Sequence, residues 1–106
     1  MNHELIKNDI DLTPSLEKAI RHKIDKIETR LKRYHPDTAH LEIRLGHHAK
    51  RKTYECMVRL KAFKDSLHSK KSAPELRVAV DRSFDAIMKE LDHYRVKINK
   101  SLQSNT

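Results

Sequence analysis

Eight histidines and one cysteine are the side chains in this sequence best suited to holding a metal or attacking a substrate. His35, His40, His47, His48 and His68 cluster along the middle of the chain, with Cys56 among them. The common metal sites bring paired ligands together at short fixed spacing, and neither Cys-x2-Cys nor His-x3-His occurs here. Cys56 falls on an apolar alternation and reads as a small buried hydrophobe. Asp81, Asp85 and Asp92 share a helix flank and suggest acid–base work. With no second set of groups to act with, they read instead as balancing nearby lysines. Gly46 is the single glycine, which excludes a glycine-rich phosphate loop of either common type. The sequence therefore predicts no catalytic residue, no metal and no cofactor.

The remaining chemistry is charge. Twenty-three lysines and arginines oppose fifteen carboxylates, for a net charge of +8 and a pI of about 9.7. Such a surface takes polyanions, either nucleic acid or less often an anionic membrane. Asn2, His3, Glu4, Lys7 and Asp9 interrupt any apolar leader, and no stretch is long enough to span a membrane. A lone cysteine rules out an internal disulfide and fits a reducing cytoplasm. One small core is all that 106 residues can support.

Periodicity supplies the elements that position these charges. Leu76, Val80, Phe84, Ile87, Leu91, Tyr94, Ile98 and Leu102 recur at steps of three and four, which places them on one stripe of a helix over 73–102. Ser72 and Glu75 are spaced as a capping box, with Pro74 in the first turn. An earlier helix over about 14–34 starts at Thr13-Pro14 and carries Leu16, Ile20, Ile24, Ile27, Leu31 and Tyr34, ending before Pro36. Between the helices the period falls to two. Leu41, Ile43 and Leu45 form one inward set, and Tyr54, Cys56, Val58 and Leu60 another. Residues 3–12 read as a first strand and 67–71 as a short last one. The expected order is β-α-β-β-β-α, an α+β fold with both helices packed on one face of a four-stranded sheet.

The cations are distributed unevenly over that frame. Arg44 to Lys71 holds nine basic residues against Glu55 and Asp65 alone. The second helix is nearly neutral but segregated, with Arg82, Lys89, His93, Lys97 and Lys100 along one flank and the three aspartates along the other. Each cation that neutralises a phosphate releases a counterion, so such a flank favours a nucleic-acid backbone. Aromatic residues are few, and four of the five fall on core positions. Recognition of shape and backbone is expected, with little reading of bases.

Several strings, taken with their joint spacing, resemble the short ribosome-hibernation proteins, also called ribosome-associated translation inhibitors. They are Ile10-Asp11-Leu12-Thr13 leading into Leu16, Ile20, Lys23, Ile24 and Lys26, then Ala79-Val80-Asp81, Phe84-Asp85, Lys89-Glu90-Leu91 and Tyr94-Arg95 with Lys97. The resemblance implies the same fold and binding to the small ribosomal subunit in the channel of messenger and transfer RNA. It further implies contact with 16S ribosomal RNA through basic residues of both helices. Lys23, Lys26, Lys89, Arg95 and Lys97 match the family's basic positions. Ala86 and His93 stand where relatives commonly carry lysine, and Glu17 replaces a frequent basic residue. Longer relatives add a C-terminal dimerisation domain, which this chain is expected to lack.

The resulting expectation is one ribosome-binding domain over 1–102 with a short tail at 103–106. It would be a cytoplasmic, non-enzymatic inhibitor of translation that acts by occupancy, with no membrane or small-molecule partner. The expected RNA-binding residues are Lys23, Lys26, Arg82, Lys89, His93, Arg95, Lys97 and Lys100. Two other readings compete: a double-stranded-RNA-binding module, and a histidine-based metal enzyme.

Overall fold

A computed structural model describes the backbone of residues 1–32, 39–62 and 65–104, and the side chains of these as far as Tyr94, apart from Asp65. The element order is β1 (Asn2–Lys7), α1 (Pro14–Leu31), β2 (His40–His48), β3 (Thr53–Ala62), β4 (Asp65–Ala73) and α2 (Leu76–Ser104). The expected β-α-β-β-β-α order and the four-stranded sheet are thus observed. Strands lie side by side in chain order, with β1 parallel to β2 and the other pairs antiparallel. The parallel pair requires a crossover, and α1 is that crossover.

The period-two runs fix which face is covered. Leu41, Ile43 and Leu45 of β2 stand opposite Leu60, Val58 and Cys56 of β3, and all six are buried. Ile20, Ile24, Ile27 and Leu31 of α1 and Val80, Phe84, Ile87 and Leu91 of α2 close over them. Between these residues on the strands, Arg44, Arg59 and Lys61 are exposed on the uncovered face. One buried polar contact ties α2 to the edge strand: the Ser69 hydroxyl donates to the Ser83 carbonyl at 2.9 Å and lies 3.1 Å from the Ser83 hydroxyl. Glu90 also reaches over that edge, its carboxylate accepting the His68 N–H at 3.3 Å. That contact occupies an amide that an open edge would leave to another strand.

Element boundaries differ from expectation at several ends, with β2 running on to His48 and β4 spanning Asp65–Ala73 beyond the expected 67–71. β1 ends at Lys7, not near residue 12, because Asp9 turns the chain with φ of 54°. Ile10 is still buried, in the connection that follows. Ser72 belongs to β4, and α2 begins only at Leu76, where the Glu75 carbonyl accepts the Ala79 N–H at 3.1 Å. The expected capping box and first-turn proline are therefore displaced, since the strand continues through Ser72 to Ala73. The first helix ends at Leu31 with Lys32 as its cap, and residues 33–34 of the expected span lie outside the described residues, as does Phe63. Thr13 caps that helix as expected, its hydroxyl accepting the Leu16 N–H at 3.2 Å.

α2 has 29 residues, which at the helical rise makes it about 44 Å long. The radius of gyration is 15.1 Å and the body measures 54 × 23 × 18 Å. The long helix makes the molecule elongated. Both helices start at the end of the sheet where the β2–β3 hairpin turns, because β1, β2 and β4 all point that way. They run side by side in one direction.

In the hairpin turn, the Arg51 N–H donates to the His48 carbonyl at 3.2 Å, and Lys52 takes φ of 50°. A left-handed conformation costs an L-residue about 1–2 kcal/mol, and the extra chain entropy of glycine offsets part of the gain on replacing it. Lys52→Gly is expected to stabilise the fold by about 0.5–1 kcal/mol, read as a raised urea midpoint. An unchanged or lower midpoint would contradict this assignment of strain.

Candidate nucleic-acid interface

The two helices meet along a line of opposed charges. Lys23 of α1 lies 3.0 Å from Asp81 of α2, and Arg30 pairs with Asp92, about two turns further along α1 and three along α2. The Lys23 ammonium also sits 6.0 Å from the centre of the Phe84 ring, close enough for a modest cation–π attraction. Beside this line runs an open groove of about 670 Å³ lined by Lys23, Lys26, Arg30, Phe84, Asp85 and Met88 among others. A second depression continues it toward the helix starts, between Lys18, Lys26 and Arg77.

This pairing sorts the charges of α2. Asp81 and Asp92 are drawn toward α1, while Arg82, Lys89 and His93 are exposed on the outer side and take part in no ion pair among the described residues. Helical spacing brings Arg82 and Lys89, two turns apart, onto nearly the same line as His93. Of the residues expected from sequence, these three and Lys26 are open to solvent. Lys23 is 22% exposed and already engaged, so it braces the helices against each other. Arg95, Lys97 and Lys100 continue the backbone of α2, but their side chains lie outside the described residues. Sequence spacing did not single out Arg30, Lys18 or Arg77, all at the interhelical groove. Arg30 could have been found only through its partner 62 residues away.

The uncovered sheet face carries its own ion pairs. Arg44 donates to Glu42 at 2.7 Å, and this bond holds the Glu42 carboxyl below the usual carboxylate range. Glu55 bridges His48 at 2.9 Å and Lys70 at 3.4 Å, and these partners, His48 first, depress its carboxyl. A depressed carboxyl stabilises the fold above its ordinary value near 4.5 and loses that contribution as pH falls through the folded value. Glu55→Gln is thus expected to be less stable at pH 7 and to lose less stability between pH 5 and 3 than the parent. Urea midpoints across that range check it, and equal acid losses in both proteins would refute it.

The remaining candidate chemistry is quiet. Burial pushes the Cys56 thiol up to about 12, opposed by a hydrogen bond with Ser83. A thiol kept protonated at neutral pH is a poor nucleophile and a poor metal ligand. Among the described residues, no three histidines, cysteines or carboxylates are grouped so as to hold a metal ion. None of the described helices is long and apolar enough to cross a membrane.

A mixed four-stranded sheet, two co-directional helices on one face and a cation-lined outer helix surface define a small basic α+β module. Residues 4–99 match the family described as sigma 54 modulation protein / S30EA ribosomal protein, and the chain belongs to that family. Two of the solved structures that share the fold serve as examples. The N-terminal domain of Protein Y from Thermus thermophilus is 18% identical with a TM-score of 0.69, over 89% of this chain and 99% of that one. A ribosomal subunit interface protein from Coxiella burnetii is 14% identical with a TM-score of 0.68, over 91% of this chain and 99% of that one. No curated protein matches the sequence.

Proposed function

We propose that this protein binds the small ribosomal subunit and inhibits translation by occupying the channel used by messenger and transfer RNA. The observation that carries the proposal is the sorted charge of α2: Asp81 and Asp92 are engaged by α1, Glu90 reaches the β4 edge, and Arg82 and Lys89, with His93 beside them, remain outward as an exposed basic line. Lys26 extends that surface from α1, and Arg95, Lys97 and Lys100 would extend it along the rest of α2. Membership in the S30EA ribosomal family supports ribosomal RNA, the 16S species, as the polyanion that meets these cations. The mechanism is steric. A stiff basic wedge neutralises phosphates on the channel wall and leaves no room for the normal ligands, and no bond is made or broken. The site of action would be the cytoplasm, where ribosomes are.

Added in stoichiometric amount to a cell-free translation reaction, the protein should block initiation and spare ribosomes already elongating. Equal inhibition of both, or none, would remove the occupancy mechanism. The competing double-stranded-RNA module has the order α-β-β-β-α, and β1, paired in parallel with β2, falls outside that pattern. Tighter binding to an isolated RNA duplex than to small subunits would favour that second reading.

A further inference from the structure

The tip of the β2–β3 hairpin is the densest run of positive charge in the chain, and the helix surface does not include it. His47, His48, Lys50, Arg51 and Lys52 fall within six residues that contain no acid. Lys50, Arg51 and Lys52 are exposed and take part in no ion pair among the described residues. His48 is committed to Glu55, but His47 is not. The register places His47 directly opposite Tyr54, one pair beyond Gly46 and Glu55, and their rings stack with centroids 4.6 Å apart and planes at 26°.

That stack changes the sequence-level expectation of backbone recognition alone. Tyr54 is half-buried, while His47 is exposed and held flat on it. Its outer face is a preordered aromatic surface at the margin of the molecule, with three cations within the next five residues. An aromatic face beside a cluster of lysine and arginine fits a nucleotide whose base is free to stack and whose phosphates remain accessible. A duplex offers phosphates but keeps its bases stacked within the helix. The N-termini of α1 and α2 lie at this same end of the sheet, and their dipoles add to its positive potential.

We infer that the β2–β3 hairpin tip is a second RNA-binding site that takes an unpaired nucleotide, with its base on the His47 ring and neighbouring phosphates on Lys50, Arg51 and Lys52. The protein then holds RNA at two places, the hairpin at one end and the outer line of α2 along its side. Only the identity of the RNA as ribosomal rests on the function proposed above.

The test uses the full chain and fluorescein-labelled oligoadenylate, with an RNA duplex of equal length and inorganic polyphosphate as comparison probes. Wild type should bind oligoadenylate more tightly than the duplex, and Lys50→Glu/Arg51→Glu should weaken oligoadenylate at least about tenfold. His47→Ala, which removes the outer ring and leaves every lysine, should weaken oligoadenylate about tenfold and leave polyphosphate unchanged. Unchanged oligoadenylate affinity in either variant would overturn the site, as would equal losses on both probes for His47→Ala. Arg82→Glu/Lys89→Glu separates the two proposals, because its oligoadenylate affinity should fall less than that of the hairpin variant. Failure of the wild type to bind small subunits, with the His47 effect intact, would sink the ribosomal reading and leave the hairpin site standing.

Discussion

Arg82→Glu/Lys89→Glu is expected to lose small-subunit binding by about 100-fold at physiological salt while folding normally. Two cations that each neutralise a phosphate become two charges that repel one, and each step of about 1.4 kcal/mol is a factor of ten. The same change should flatten the salt dependence, lowering the slope of log affinity against log salt by about 0.7 for each lost contact. Normal folding follows from position. Both side chains are exposed and take part in no ion pair among the described residues, and glutamate is as good a helix former as lysine. Surface changes of this kind move stability within about 0.5 kcal/mol. Co-sedimentation at two salt concentrations reads both effects. Lys23→Glu makes an informative contrast, because it would set two acids against each other across the helices and should cost stability as well as binding.

Phe84→Ala should be the most damaging single change to the fold, at about 3–5 kcal/mol. The ring is 2% exposed and is the largest of the fully buried side chains, on the stripe of α2 that covers the sheet. Truncation loses its transfer energy and leaves a cavity in a core whose buried residues are anchored on α1, α2 and the sheet and cannot all move in. Total stabilities of domains this size run about 5–15 kcal/mol, so the variant would be marginal. It also deprives Lys23 of the ring beneath its ammonium. A urea titration with an unchanged slope and a much lower midpoint is the expected result. A loss below about 1.5 kcal/mol would mean that the site collapses around the gap.

The core that holds Phe84 was legible in the sequence in more detail than the surface that holds Arg82 and Lys89. Leu41, Ile43 and Leu45 against Cys56, Val58 and Leu60 declared two paired strands, and the helical stripes declared what covers them. Burial enforces those periods, so the order of elements followed. Element ends were less legible because they depend on single backbone angles. Asp9 leaves the strand at φ of 54° while apolar Ile10 and Leu12 continue beyond it, so composition alone overextends β1. Ser72 satisfies a capping pattern and yet pairs with Glu55 across β3 and β4.

The cationic flank of α2 could be read from spacing, because helical neighbours are fixed by pitch. Which cations are spent could not. Lys23 with Asp81 and Arg30 with Asp92 join residues far apart in sequence, and only the parallel run of the helices sets them opposite each other. The stack of His47 on Tyr54 was hidden for a similar reason. It depends on a four-residue turn that sets the β2–β3 register, and a slip of one residue would turn the two rings to opposite faces. Charge counts by segment therefore found the basic hairpin but not the ring at its tip.

Inhibition by occupancy requires that the exposed cations of a steric wedge compete for the messenger and transfer RNA channel. The most direct measurement is co-sedimentation of the wild-type protein with vacant small subunits and with subunits already loaded with both ligands. Salt-sensitive binding to vacant subunits and exclusion from loaded ones is the predicted result. Equal binding to both, or binding to neither, would contradict it.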